Sequence, residues 1–257
     1  MKMNEYYGFS VSPFSDKNQV LYESKDYMEI KKRMEFYLEE EGIALITGLH
    51  GTGKTKMVKS LLPGKDKVIY VYGGELTLFE FLNSIGTQLE IETKHCHISN
   101  IMQDINRRVL THTKNEERVI VVIDMVEKIQ SKILESLKSL QDSSKGIYLI
   151  LIGHSKFRSR SRDPKLKSLI NSILINYDCA GLSMNETKEY IKQRLANVGG
   201  DINLIEDRYY SNIYEYTKGN PQMINKYMAT VLLIAYINQT KTINNQILKK
   251  AKEEIEI

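Results

Sequence analysis

A chain of 257 residues with 42% hydrophobic and 26% charged side chains has the make-up of an ordinary soluble protein, long enough for one large domain or a core domain with a small second one. Its formal net charge of +4 permits a nucleic-acid partner without arguing for one. Only two cysteines, Cys96 and Cys179, argue against a disulfide framework and fit a reducing cytosol; the opening residues do not read as a signal peptide, and the longest apolar run, 231–237, is too short to span a bilayer.

The chain starts with an aromatic, turn-rich leader, Tyr6-Tyr7-Gly8-Phe9 and Pro13-Phe14. Such rings either pack onto the fold or, as Tyr7 and Phe9, flank a purine, because a base needs an apolar slot. Residues 25–41 read as an amphipathic helix, with Met28, Met34, Phe36, Tyr37 and Leu38 among charges. Ile43-Ala44-Leu45-Ile46 then forms a short apolar run that reads as a buried parallel strand.

That strand leads into Gly48-Leu49-His50-Gly51-Thr52-Gly53-Lys54-Thr55, which fits the phosphate-binding loop pattern. The setting is right as well: Met57, Val58, Leu61 and Leu62 give the helical face that follows the loop, and Pro63-Gly64 ends it. Glycines let the backbone wrap an anion closely, with successive N–H groups pointing inward and the helix N-terminus adding positive potential. The cofactor-binding set expected here is Gly48, His50, Gly51, Thr52, Gly53, Lys54, Thr55 and Lys56. Lys54 is expected on the β- and γ-phosphates of ATP, and the Thr55 hydroxyl on Mg²⁺.

Residues 68–72 read as the second strand and 76–89 as a helix. His95-Cys96-His97 does not read as a metal site, because three adjacent residues cannot converge on one ion without strain and no second cluster accompanies them. Residues 98–110 read as another helix. Arg118-Val119-Ile120-Val121-Val122-Ile123-Asp124 is a continuous β-branched run ending in an acid, which places a carboxylate at the ligand-binding edge of an open sheet. In a P-loop ATPase such an Asp helps hold Mg²⁺, so Thr55 and Asp124 are the expected metal pair.

Residues 133–140 read as a helix and 147–152 as a further strand. A basic run follows, Lys156, Arg158, Arg160, Arg162, Lys165 and Lys167, opposed only by Asp163. It reads as a solvated loop, as a contact with a phosphate backbone, or as a contact with a neighbouring subunit. Residues 173–177 read as the last strand. Beyond residue 180 the pattern is helical throughout. Ser183-Met184-Asn185-Glu186 is a capping box opening a helix over 184–197; 206–217 and 223–237 follow, the latter behind Gly219-Asn220-Pro221, and Thr242 is placed as the cap of a final helix. The expected architecture is an α/β core over 1–180 with a parallel sheet in three layers, followed by a small all-helical lid domain over 181–257.

Together these residues resemble the AAA+ P-loop ATPases, and within them the ExeA-like group, which includes the ATP-binding partners of bacterial transposases of the TnsC, TniB and IstB kind. The leader, Gly48–Thr55, the strand ending at Asp124, Leu151-Ile152-Gly153-His154, Gly181-Leu182-Ser183 and Gly219-Asn220-Pro221-Gln222 follow in that group's order over nearly the whole chain. The resemblance implies ATP and Mg²⁺ as cofactors, with Pro221 and Gln222 at the nucleotide. It further implies a homo-oligomeric ring or filament formed with ATP, double-stranded DNA and a transposase as partners, and a cytoplasmic protein with no membrane role.

Departures from the pattern temper the activity it implies. The group places Glu after the strand Asp, where this chain has Met125; Glu127 lies two residues further on. The group carries Arg after its Gly-Asn-Pro, where this chain has Gln222, and an Arg pair before the last core strand, where this chain has Ile170-Asn171-Ser172. His154 occupies the position of a polar sensor. A positioned acid or base is worth about 10²–10⁴ in rate and an arginine finger about 10³–10⁵. The resulting expectation is a nucleotide-binding switch with weak hydrolysis, acting on DNA in transposition. The candidate catalytic residues are Asp124, Glu127 and His154, and two alternatives stand beside that expectation: a degenerate nucleotide-binding interaction module or ExeA-like regulator without DNA binding, and an active ATPase in which Glu127 and one of Arg158, Arg160 or Arg162 replace the lost groups.

Overall fold

The computed structural model describes residues 2–18, 20–92 and 97–256. Helix α1 (Met3–Tyr7) and helix α2 (Lys25–Glu39) lead into strand β1 (Ile43–Gly48). Then come α3 (Lys54–Leu61), β2 (Lys67–Tyr72), α4 (Leu78–Gln88), α5 (Ile98–Lys114), β3 (Val119–Asp124), α6 (Ser131–Ser143), β4 (Ile147–Gly153), α7 (Lys167–Asn171) and β5 (Ile173–Cys179). Four further helices complete the chain: α8 (Met184–Ala196), α9 (Tyr210–Thr217), α10 (Pro221–Ile237) and α11 (Asn245–Ile255). The chain divides into two compact units, residues 29–50 with 54–179, and residues 1–28 with 51–53 and 180–257.

The first unit is built on a five-stranded sheet in the order β2-β3-β4-β1-β5. All neighbours are parallel. Ile43, Leu45, Ile69, Val71, Val121, Ile123, Leu149 and Leu151 share one face and cluster with Phe81 and Ile85 of α4, Ile101 and Ile105 of α5, and Leu134 and Leu137 of α6. Ala44, Ile46, Ile120, Val122, Ile150 and Ile152 alternate with them and are buried too, as are Ile30, Met34 and Tyr37 of α2 and Val58 of α3. Strands covered on both faces have no solvated side to mark with polar residues, which is why they read as unbroken apolar runs. Because the strands are parallel, Gly48, Asp124, Gly153 and Cys179 all finish at one edge.

The second unit has its own core, in which Ile191, Leu195, Ile213, Ile224, Met228, Val231 and Ile247 gather with Phe9 and Phe14 of the leader. The leader was expected with the α/β core and instead belongs here. Its backbone explains why: the buried Arg194 guanidinium donates to the carbonyls of Pro13 (2.8 Å), Ser15 (2.8 Å) and Asn18 (2.9 Å). Asn18 answers with its own amide on the Pro13 and Arg194 carbonyls. The expected capping box is present, Ser183 Oγ accepting from the Glu186 N–H and the Glu186 carboxylate from the Ser183 N–H. The last helix is capped by Asn244, whose Oδ1 accepts from Gln246 and Ile247 N–H, and not by Thr242. The side-chain oxygen must sit at the residue immediately before the first helical turn, and Thr242 lies outside that turn.

The basic stretch is not a loop: residues Ser155–Arg162 and Pro164–Leu166 wind into 3-10 turns ahead of α7. Residues 93–96, which include His95 and Cys96, lie outside the described residues; His97 is exposed and immediately precedes α5. Among the described residues no helix is long and apolar enough to cross a membrane.

Candidate nucleotide-binding site

β1 delivers Gly48 to the loop, and α3 opens on Lys54, so the loop joins a buried strand to a helix N-terminus as its sequence demands. Lys54 is only 8% exposed, and its ammonium donates to the carbonyls of Gly48 (3.1 Å) and Leu49 (2.7 Å). Burial pushes its pKa down, while Cys179, Asp124, Glu127 and Asp178 act in the opposite direction without cancelling it.

Thr55 Oγ1 donates to Asp124 Oδ2 at 2.6 Å, and the other Asp124 oxygen accepts from Met125 N–H at 2.8 Å. A hydroxyl and a carboxylate side by side are the hard oxygen donors that Mg²⁺ takes. Among the described residues no group of three or more His, Cys, Asp or Glu side chains is placed to hold a metal unaided. The fit is therefore to an ion that takes its remaining oxygens from phosphate and water, as Mg²⁺ does at phosphate sites.

Gly51 has φ +80°, a conformation that favours glycine, and a Cβ there would come within 2.6 Å of Asn220 Oδ1 and of Gln222 Oε1. Gln222 N–H donates to the Gly51 carbonyl at 3.2 Å. Asn220 caps α10 by accepting from the Gln222 and Met223 N–H groups, with Pro221 as the first helical residue. Asn220 and Gln222 thus lie beside Gly51 of the loop. Thr52 is buried, and Lys56 is exposed on α3.

Met125, at the position where an acid was sought, has φ +54°. The left-handed residue turns the chain out of β3 into a single 3-10 turn, Val126–Lys128. That turn carries Glu127 towards the end of β4, where its Oε2 accepts from the His154 N–H at 2.9 Å. His154 Nδ1 accepts from the Lys156 N–H at 3.0 Å, which leaves the proton of the neutral ring on Nε2. The His154 ring lies 5.0 Å from that of His50 in the loop.

Two arginines offered as DNA or subunit contacts are engaged within the protein. Arg158 donates from Nε to Thr47 Oγ1 (3.0 Å) and from its terminal nitrogen to Asn176 Oδ1 (2.9 Å). Arg160 donates to the carbonyls of Val126, Glu127 and Ile129 (2.7 Å) and to Ser131 Oγ (2.8 Å). Arg158 thus bonds side-chain oxygens of β1 and β5, and Arg160 bonds carbonyls of the turn that follows β3. Lys156 and Arg162 are exposed, as are Lys165 and Lys167.

The Tyr7 and Phe9 rings stack on each other, 5.2 Å between centroids, and Phe9 is 6% exposed in the helical core. Tyr7 donates to the Leu232 carbonyl, and burial pushes its hydroxyl up to about 12. Both line a cleft of about 310 Å³ with Asp201, Asn203 and Lys241. The packing reading of the leader therefore describes Phe9, while Tyr7 keeps one side on this cleft.

Asp178, at the end of β5, was not singled out from the sequence. Its Oδ1 accepts from Thr47 Oγ1 (2.6 Å) and Ser155 Oγ (2.9 Å). Burial raises its pKa, but those hydrogen bonds, with Arg158 and Lys54, outweigh burial and hold it below the usual carboxylate range. The available signal was its place: an acid at the carboxyl end of the strand beside β1.

Residues 37–160 match the family model described as an AAA domain. A Staphylococcus aureus protein described as a potential ATP-binding protein is 22% identical, over 94% of this chain and 98% of its own length. Among solved structures, Cdc6p from Pyrobaculum aerophilum superposes with a TM-score of 0.74 at 15% identity, covering 96% of this chain and 72% of that one. The Aeropyrum pernix ORC1 protein, solved in complex with DNA, superposes with a TM-score of 0.68 at 14% identity, covering 92% of this chain. This chain spans 66% of that ORC1 chain. The fold is that of the AAA+ P-loop ATPases.

Proposed function

We propose that the protein is an ATP-binding switch that assembles on duplex DNA and hydrolyses ATP slowly. The observation that supports it most is the intact binding set: Lys54 held at the mouth of the loop, beside a Thr55–Asp124 pair with their oxygens 2.6 Å apart. The phosphates would take the loop N–H groups and the Lys54 ammonium, and Mg²⁺ bound at Thr55 and Asp124 would neutralise phosphate charge. Acceleration is the weaker part. Met125 replaces the usual acid, Gln222 the usual arginine, and Arg158 and Arg160 are bound to the protein's own acceptors. Steady-state turnover is expected well below about 1 s⁻¹, the low end for ordinary enzymes. A phosphate-release assay at saturating ATP and Mg²⁺ that gave about 1 s⁻¹ or more would instead support the reading of an active ATPase.

The DNA part rests on the exposed cations Lys156, Arg162, Lys165 and Lys167, and on the likeness to proteins solved with DNA. The narrower reading, a regulator of transposition with a transposase partner and a ring or filament as its working form, rests on the order of motifs. Changing those four cations to Ala together is expected to make the log–log salt dependence of DNA affinity shallower, by about 0.9 for each phosphate that the protein no longer neutralises. Sequence preference should hardly change, because cations on phosphates position a protein without specifying the bases. A second reading, a nucleotide-binding module without DNA, draws on Glu135, which lines the same groove as Lys165 and Lys167 and opposes their charge. An unchanged salt slope in the quadruple variant favours that reading.

A further inference from the structure

We propose that Glu127 is the carboxylate that orients the attacking water and takes its proton, replacing an acid at position 125. The inference rests on the reading of this site as an ATP site. Glu127 is the acidic residue that the turn after β3 returns to the sheet edge. Its position is fixed from several directions. The left-handed Met125 reverses the chain. Arg160 clamps the turn by donating to the carbonyls on either side of Glu127 and to that of Glu127 itself. The His154 N–H holds Oε2 at 2.9 Å. Gly153 leaves room, since a Cβ there would lie 2.6 Å from that oxygen.

The second carboxylate oxygen is what sets Glu127 apart. Oε1 is closed off from bulk solvent and, among the described residues, has no hydrogen-bond partner. A buried acceptor left unsatisfied is costly, so such groups mark places where a water or ligand belongs. Glu127 is also among the carboxylates whose charge acts on the Lys54 ammonium. For the step the carboxylate must rotate about its Oε2 anchor to bring Oε1 to the attacking water. Catalytic hydrogen bonds commonly tighten only once substrate is bound. In the step itself the water oxygen bonds to the γ-phosphorus as the bond from that phosphorus to the bridging oxygen breaks. The electron pair leaves with ADP, and the water proton passes to Glu127.

The test is single-turnover hydrolysis of γ-labelled ATP by the full chain with Mg²⁺, alongside calorimetric ATP binding. Glu127→Gln keeps the volume and an acceptor for the His154 N–H, so a group that only braced the turn would be spared by it. The expected result is a rate lower by roughly 10²-fold or more, with ATP affinity within about threefold of wild type. Glu127→Asp, a carboxylate set further back, should fall between the two. Met125→Glu should not restore the Glu127→Gln variant. Glu127→Gln turning over at the wild-type rate overturns the inference. So does a wild type that binds ATP yet shows no turnover above the uncatalysed rate. A wild type that binds no ATP overturns the underlying reading, and the inference with it.

Discussion

Lys54→Ala is expected to lower ATP affinity by about 100-fold or more, as the loss of charge-assisted bonds worth about 1.5–3 kcal/mol each implies. The same change should leave the melting temperature unchanged or raised. The sign follows from the structure: burial depresses the Lys54 pKa, so folding disfavours its charged form relative to the unfolded chain below the folded-state pKa. Removing it also leaves the Gly48 and Leu49 carbonyls without their lysine donor, which limits any gain. Calorimetry and a thermal melt on the same preparation check both halves. Equal affinity in wild type and variant would end the assignment of the loop to phosphate binding.

Arg194→Ala is expected to have the largest effect on stability, about 3–5 kcal/mol, the size associated with breaking a buried hydrogen-bond network. Arg194 is 4% exposed, and its guanidinium satisfies three leader carbonyls that no other described donor replaces in full. Truncation would leave these acceptors over a cavity, beneath a segment whose Phe9 and Phe14 belong to the same core. Arg194→Lys should recover little, because a point ammonium cannot match a planar fork aimed at Pro13, Ser15 and Asn18 together. Urea unfolding followed through the tyrosines measures it; a loss under about 1 kcal/mol would show that the leader is held by its aromatic rings alone.

Local chemistry made much of this fold legible in the sequence. β1, β3 and β4 are apolar on both faces, and a run such as 119–124 has no other stable destination at this length. The loop carries its geometry in its glycines and lysine, and the Ser183–Glu186 box acts within four residues. What stayed hidden depends on groups far apart in the chain. Arg194 lies 181 positions from Pro13, and nothing local to either shows that they meet. Arg158 and Arg160 looked like members of a solvated basic run because their acceptors, Thr47 and the turn at 126–129, are distant in sequence. Met125 read as the loss of an acid. The left-handed backbone that it adopts, which brings Glu127 back to β4, is a property of the folded turn and not of the residue type.

The most direct measurement of the central claim is electron microscopy of the full chain with and without ATP and Mg²⁺, and with and without duplex DNA. The account predicts ordered rings or filaments when both ATP and DNA are present, absent when either is omitted and absent for Lys54→Ala. A monomer under all four conditions, or the same assembly whether or not ATP is added, would contradict it.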